Sequence, residues 1–379
     1  MEKFNARKLK YARIVSNILG LLMHCEKCHE KIELQDAKRI LIIESGLIGD
    51  IIMATSFFRI LKRNAPNAKI TLVCGRWAQT VLDGQDLIDE YITIDTKIID
   101  SPRKMLLNWT VIRRIIRAIN VNEYDLALET KGDLRYIFFM HFCNAKRKIS
   151  YNYTGGESLL TDVIIPSEEV KHLVEDRVYF AEQLGCHFSS KERTPSLVLN
   201  DENKKKNSIF IQSNEIENKI KIGIHPGASL DIKRWKKYDD LIRTLNIDNA
   251  VYLIFSGPGE EGLSHKIIEA GIQSGKTCIE IREKLDDYVR LMAVPDVCIC
   301  NDSGAGHLSA AYGIPTISIL GPSIPEYCRP YTSKGYVLSH TLECKPCLAR
   351  ECRTGTYECI DGISVEEVKN EVYKAISDC

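Results

Sequence analysis

The residues of this chain best suited to chemistry are Asn301-Asp302-Ser303-Gly304-Ala305-Gly306-His307. They follow a short apolar run, Val297-Cys298-Ile299-Cys300, that reads as a buried strand. They precede Leu308-Ser309-Ala310-Ala311-Tyr312-Gly313, a small-residue helix closed by a glycine. Strand, glycine-containing turn and helix start together aim several backbone N–H groups, and the positive end of a helix dipole, at one point. That is an anion cradle. Asp302 and His307 stand beside it to handle hydroxyls or a sugar ring, so a phosphate-bearing ligand is the expected guest.

Three further segments carry candidate chemistry. Glu44-Ser45-Gly46-Leu47-Ile48-Gly49-Asp50 leaves a strand and opens a helix, and Gly46 and Gly49 permit a tight turn with close ligand approach. Asp50 has two readings there: a carboxylate that takes the proton from an attacking hydroxyl, or a helix N-cap. The second segment, His225-Pro226-Gly227-Ala228-Ser229-Leu230-Asp231-Ile232-Lys233-Arg234-Trp235, leaves a strand through a Pro-Gly turn. In it Ser229 and Lys233 would hold a diphosphate and neutralise leaving-group charge; a solvated basic loop anchored by Trp235 is the alternative. The third, Gly257-Pro258-Gly259-Glu260-Glu261-Gly262, has GxGxxG spacing. Pro258 removes an N–H and the two glutamates would repel a pyrophosphate, so the dinucleotide reading fails. A carboxylate here suits ribose hydroxyls instead, and an exposed helix start fits equally.

Two cysteine clusters raise the question of metal. His24-Cys25-Glu26-Lys27-Cys28-His29 is compact, whereas a tetrahedral site usually takes two separated ligand pairs. Cys344, Cys347, Cys352 and Cys359 form a four-thiol set suited to structural zinc, with disulfides and free thiols as alternatives. Cys74, Cys143, Cys298 and Cys300 sit singly in apolar runs and read as small core residues of a protein in a reducing cytoplasm.

The elements that must position these residues alternate between short β-rich runs and helical patterns, the signature of parallel βαβ units. Strands are expected at 40–43, 69–74, 92–94 and 126–129, then at 221–225, 251–255, 278–281, 297–300 and 316–320. Helices are expected at 51–64, 106–119, 237–245, 264–270 and 364–376. Residues 201–207 and 212–219 read as charged linker and edge turns. The expected organisation is an N-terminal extension (1–36), a first Rossmann-like domain (37–205), a second (206–340), and a Cys-rich tail with a final helix (341–379). The fold class is α/β, two doubly wound domains facing across a cleft, with ligands at the carboxyl ends of the strands.

At 379 residues, 44% hydrophobic and 27% charged, the chain has the composition of a soluble globular protein of two domains. Its formal net charge of zero gives no bulk attraction to nucleic acid. No segment approaches the roughly 20 apolar residues of a membrane span. The extension is basic and then apolar: Lys3, Arg7, Lys8, Lys10 and Arg13 precede Ile14–Met23. It would lie on an anionic membrane surface or dock on the protein itself. Arg103, Lys104, Arg113, Arg114 and Arg117 offer a second basic cluster, for acceptor phosphates or simply a solvated helix face.

Taken in order, these motifs resemble glycosyltransferase family 9, the lipopolysaccharide heptosyltransferases. The resemblance runs from about Arg39 to the C-terminus. It rests on Gly49-Asp50, Lys131-Gly132-Asp133, the segments His225–Ser229 and Lys233–Trp235, Asn301–Gly304 with His307, Gly321-Pro322, and Arg329-Pro330-Tyr331. Lys236 stands where proline is usual in the family, and residues 1–36 have no counterpart in its core.

The resemblance implies a GT-B fold and an inverting transfer of heptose from ADP-heptose to a lipopolysaccharide-type glycolipid. Asp50 matches the general base. Ser229 and Lys233 match the residues that grip the donor phosphates and sugar, Asp302 a contact to the donor sugar, and Glu261, with Glu260 as alternative, the ribose carboxylate. Ser303, Gly304, Ala305 and Gly306 would supply phosphate-facing amides. No cofactor is required. Partners would be the nucleotide-sugar donor and the glycolipid acceptor, at the inner face of the cytoplasmic membrane and without nucleic acid. The rival readings are a GT-B sugar-nucleotide epimerase and a non-catalytic membrane-associated scaffold.

Overall fold

The computed structural model describes residues 6–28, 30–170, 172–347 and 351–378. The chain divides into two compact units, residues 1–193 and 194–379. Each is built on a six-stranded, wholly parallel sheet. In the first unit the strands are β1 (Arg39–Ile43), β2 (Lys69–Cys74), β3 (Glu90–Thr93), β4 (Tyr124–Glu129), β5 (Ala145–Tyr151) and β6 (Asp162–Ile164), in the order β3-β2-β1-β4-β5-β6. The second unit repeats this with β7 (Ile220–His225), β8 (Ala250–Phe255), β9 (Thr277–Ile281), β10 (Val297–Asn301), β11 (Thr316–Ile319) and β12 (Gly335–Leu338), ordered β12-β11-β10-β7-β8-β9. Read from its own first strand, each sheet has the 3-2-1-4-5-6 order of a dinucleotide-type doubly wound domain. Its topological switch point falls between β1 and β4 in one unit and between β7 and β10 in the other.

Both faces of each sheet are covered by helices, so the central strands are apolar runs rather than alternating ones. Ile40, Leu41, Ile42 and Ile43 are all buried in β1, as are Val297 through Cys300 in β10. On one face of the first sheet, α2 (Ile48–Asn64) packs beside the helix Leu173–Gln183, with Phe57 and Phe180 meeting edge to face at 5.8 Å. On the other face Leu41, Ile43, Val73 and Ala127 pack under the helices Trp109–Ile119 and Leu134–His141, and α1 (Ala6–Leu22) joins that layer through Ala12 and Leu19. The α1 helix sits on a turn made by Gly155 and Gly156, both at φ +97°. A Cβ at Gly155 would come within 2.7 Å of Ser16, so the close approach requires glycine.

The sequence reading departs from the structure in identifiable places. Strands β5, β6 and β12 went unread because they lie toward the sheet edges and carry charged or half-exposed residues such as Lys146, Arg147 and Lys148. Residues 201–207 are not linker: Asp201–Ser213 is a helix, capped by the Asn200 side chain accepting from Asn203 N–H at 2.8 Å. Its polar composition concealed it, since Asn207 anchors it by two 2.8 Å hydrogen bonds to Arg290 rather than by an apolar stripe. The expected helix over 106–119 is two helices, Pro102–Leu107 and Trp109–Ile119, parted at Asn108. The tail belongs to the second unit, where Cys359, Ile360, Ile363, Val368, Val372 and Ala375 enter the core.

Candidate active site

In the first unit, Glu44 follows β1 directly and α2 begins at Ile48, so Asp50 is the third helical residue rather than the N-cap. Its Oδ2 reaches back to accept from Leu47 N–H at 2.9 Å, satisfying one orphan donor of the helix start. To do so the carboxylate folds over Gly46, where a Cβ would stand 2.0 Å from that of Asp50. Gly49 is buried in the same turn. The other oxygen, Oδ1, lies 3.5 Å from Lys131 Nζ and 3.9 Å from an Arg177 amino group.

Those two cations are shared with a second carboxylate. Glu44 stands 2.8 Å from Lys131 and 3.2 Å from Arg177, and Thr130 donates to it at 3.1 Å. Two acids and two bases therefore cancel in one buried cluster at the switch point. Burial works to raise the Glu44 carboxyl, but Arg177 and Lys131 outweigh it and hold the group below its ordinary value. Burial likewise works against the Lys131 ammonium, and Asp50 and Glu44 outweigh it and hold its pKa above the usual lysine value. Exposure separates the acids: the Glu44 side chain is 1% exposed and the Asp50 side chain 27%. Only Asp50 is open to a substrate.

One strand position away lies a third acid. Glu129, the last residue of β4, accepts from Gly132 N–H at 2.7 Å and from the Ser150 hydroxyl at 2.8 Å. Burial pushes its carboxyl up to about 8, with Asp133 and Glu44 adding to the rise against the Ser150 bond.

In the second unit the anion cradle is assembled on the expected elements. β10 ends at Asn301, Ser303 is the N-cap residue, and the helix Gly304–Ala311 presents the amides of Gly304, Ala305 and Gly306 in its first turn. The Ser303 hydroxyl is buried and makes no hydrogen bond among the described residues. Gly306 allows the helix to close on the sheet, since a Cβ there would lie 2.7 Å from Cys300 Sγ. His307 is buried within the helix.

Asp302 pairs with Lys233 at 2.6 Å and accepts from the Ser323 hydroxyl, which fixes lysine and carboxylate together at the mouth of the cradle. The loop that brings Lys233 there is tied down by Asn301. Its Nδ2 donates to Pro226 O at 2.7 Å, while its Oδ1 accepts from Trp235 N–H and Tyr238 OH, both at 3.1 Å. Arg234 closes the same loop by donating to Ala228 O at 3.0 and 3.2 Å. Ser229 is exposed on it. His225, at the end of β7, is buried with Nδ1 3.0 Å from Tyr288 OH, and burial lowers its pKa and keeps the ring neutral.

Of the two adjacent glutamates, the structure brings Glu260 rather than Glu261 into this loop cluster. Glu260 accepts from Gly257 N–H at 2.9 Å, lies 3.9 Å from Arg234, and packs so tightly on Gly227 that a Cβ there would meet its carboxylate at 2.0 Å. Glu261 starts the helix Glu261–Gln273 and is paired with Arg282 at 2.8 Å.

The metal candidates do not converge. Among the described residues no three His, Cys, Asp or Glu side chains are arranged to hold an ion. Cys344, Cys352 and Cys359 line one cleft of about 310 Å³ with Glu343 and Glu358, while residues 348–350 lie outside the described chain. Hydrogen bonds from Thr354, and then from Tyr357 N–H, draw the Cys352 thiol down to about 7. At the other cluster Cys25 Sγ lies 3.4 Å from His141 Nδ1, and His29 falls outside the described residues.

Glu44, Arg177 and Glu129 are the residues that motif reading left without a role. A signal for Arg177 was present: Val174, Val178 and Ala181 define the buried stripe of its helix, and position 177 falls on that stripe.

Comparison with known proteins agrees with this layout. The profile of glycosyltransferase family 9 (heptosyltransferase) matches residues 112–358. Lipopolysaccharide heptosyltransferase 2 of Salmonella typhimurium is 23% identical over 353 residues, covering 90% of this chain and 99% of that protein. Among solved structures, a glycosyl transferase family 9 protein from Veillonella parvula superposes with a TM-score of 0.76 at 21% identity, over 93% of this chain and 100% of the other. The E. coli ADP-heptose lipopolysaccharide heptosyltransferase II gives 0.71 at 20% identity, over 90% and 99%. These likenesses carry the fold, two doubly wound α/β domains of the GT-B class, and the profile carries the family. The chain is a glycosyltransferase and belongs to family 9, the heptosyltransferases.

Proposed function

We propose that the chain transfers a heptose from ADP-heptose, with inversion, onto a lipopolysaccharide-type glycolipid at the inner face of the cytoplasmic membrane. The observation that carries the donor half is the Lys233–Asp302 pair set at the mouth of the Ser303–Gly306 amide cradle. In a single displacement the acceptor oxygen forms the new bond to the anomeric carbon. Its proton passes to Asp50, and the bond to the diphosphate oxygen breaks with its electron pair leaving on ADP. The helix N-terminus and Lys233 stabilise the charge that develops on that oxygen, the role for which preorganised donors are most effective. Asp302 meets a sugar hydroxyl, Ser229 a phosphate oxygen, and a carboxylate of the 260–261 pair the ribose. No step needs a metal, and the thiols of Cys344, Cys347, Cys352 and Cys359 have no part in it.

The test is thermal stability in the presence of ADP, UDP, GDP and CDP. A nucleotide at about 100 times its dissociation constant adds roughly 2.7 kcal/mol. Stabilisation by ADP alone is expected, and a response to another nucleotide instead would replace the donor. The same measurement separates the glutamates. Glu260→Gln should weaken the ADP response, while Glu261→Gln should leave it within about twofold, because Glu261 is engaged with Arg282.

A further inference from the structure

The α1 helix is apolar on two sides. Ala12, Ser16, Leu19 and Met23 form an inward stripe: Ala12, Leu19 and Met23 pack on the core of the first unit, and Ser16 Oγ accepts from Gly156 N–H at 2.8 Å. The opposite stripe is Tyr11, Ile14, Val15, Ile18, Leu21 and Leu22, with exposures from 47% at Val15 to 87% at Leu21. Six large apolar side chains on one helix face are more than the scattered exposure of an ordinary surface.

Charge says what covers them. No Asp or Glu occurs between Lys3 and Cys25, and Lys10 and Arg13 are exposed on α1 itself. A second acid-free stretch runs from Ser101 to Asn122, with Arg103, Lys104, Arg113, Arg114 and Arg117 all exposed. Both stretches cover the same face of the first sheet, because Trp109, Ile112, Ile115, Ile116 and Ile119 pack on the core cluster that also takes Ala12 and Leu19. In a chain of zero net charge, one layer thus combines an apolar ridge with cations and, over these two segments, no anions. A second copy of the chain is a poor occupant, since a two-fold contact would set these cations against themselves. An anionic bilayer complements both features: an interfacial helix buries its apolar face about 5–10 Å into the headgroup boundary, and nearby Lys and Arg side chains are drawn to anionic headgroups.

We infer that α1, docked on the first unit by its inner stripe, lies by its outer stripe in the surface of an anionic bilayer, with the Arg103–Arg117 segment as a second electrostatic contact. This deepens the proposed function and rests on it only for the claim that the acceptor is found there.

The experiment is co-sedimentation of the full chain with vesicles of pure phosphatidylcholine or with about 30% phosphatidylglycerol. Binding at least about tenfold tighter to the anionic vesicles, weakened by salt, is expected. Ile18→Glu with Leu21→Glu should abolish it, and Arg113→Ser with Arg114→Ser and Arg117→Ser should reduce it toward the neutral-lipid level. Both variants should keep the wild-type unfolding midpoint in urea, which separates loss of the surface from loss of the fold. Equal binding to both vesicles, or undiminished binding by the Ile18/Leu21 variant, overturns the inference. So does a wild-type dimer that the same variant converts to monomer. Vesicle binding is read without any sugar transfer, so failure of the donor assignment leaves this result standing, and the reverse holds.

Discussion

The two units share one strand order and differ in how each holds its functional groups at the switch point. In the first, a carboxylate is held by charge: Asp50 and Glu44 share Lys131 and Arg177 in a cluster that is largely out of water. In the second, the frame of an anion cradle is made by neutral groups, helix amides and one asparagine that binds the loop after β7 to the end of β10, and the Lys233–Asp302 ion pair is confined to its mouth. The difference follows from the task. Under the proposed mechanism Asp50 has to be aimed while remaining open to substrate, and Lys131 and Arg177 hold its Oδ1 while the side chain stays 27% exposed. The proposed diphosphate site draws its positive potential from helix amides, which need no counter-ions, and from Lys233, whose charge is shared with Asp302.

The largest expected effect tests whether the halves are separable. Asp50→Ala should lower kcat by about 10²–10⁴-fold with the ADP dissociation constant unchanged. Lys233→Ala should do the converse, weakening ADP by about 10–100-fold through loss of a charge-assisted contact. If Asp50→Ala weakened ADP as strongly as Lys233→Ala, the division of labour would be lost.

Next in size is the cluster itself. Arg177→Ala leaves the buried Glu44 carboxylate and Asp50 to share Lys131 alone, and the first unit should lose about 3 kcal/mol in chemical denaturation. Removing Asn301 hydrogen bonds by Asn301→Leu should cost the second unit less. A reversed order of the two would show that the neutral staple is the stronger device.

The smallest effect sharpens the electrostatic side. The folded Glu129 carboxyl takes its proton near 8 rather than near 4.5, so the folded state binds more protons between those values. Stability must therefore fall as pH rises through that window. Glu129→Gln should flatten the dependence and leave the variant the more stable protein at pH 9, as read from urea midpoints between pH 5 and 9. An unchanged slope would mean that Glu129 is ionised in the folded protein and held by its hydrogen bonds.

The same contrast decides what was legible in the sequence. The cradle of the second unit could be read because all its parts are local: strand, turn and helix lie within 297–311, and the residues that build it also carry its pattern. Its partner loop was legible as a motif, but the Asn301 hydrogen bonds that join the two span more than sixty positions and leave no mark in spacing. Of the charge cluster, Asp50 and Lys131 stood in recognisable motifs. Glu44 and Arg177 are 133 positions apart, and nothing short of the folded topology brings them together. The different surroundings of Glu260 and Glu261 were closed to pattern reading as well, since spacing cannot tell two identical neighbours apart. Edge strands and the Asp201–Ser213 helix were obscured for a shared reason: where packing is polar, hydrophobic periodicity has nothing to report.

Asn301 has one further consequence. Because its single amide fixes the backbone at Pro226 and at Trp235, the two ends of the loop keep their places whatever the exposed Ser229 side chain between them does. A substitution at Ser229 should therefore change what the loop touches while lysine and cradle keep their alignment. Under the proposed function, loss of the Ser229 hydroxyl thus removes one donor contact and leaves the loop that carries Lys233 in place.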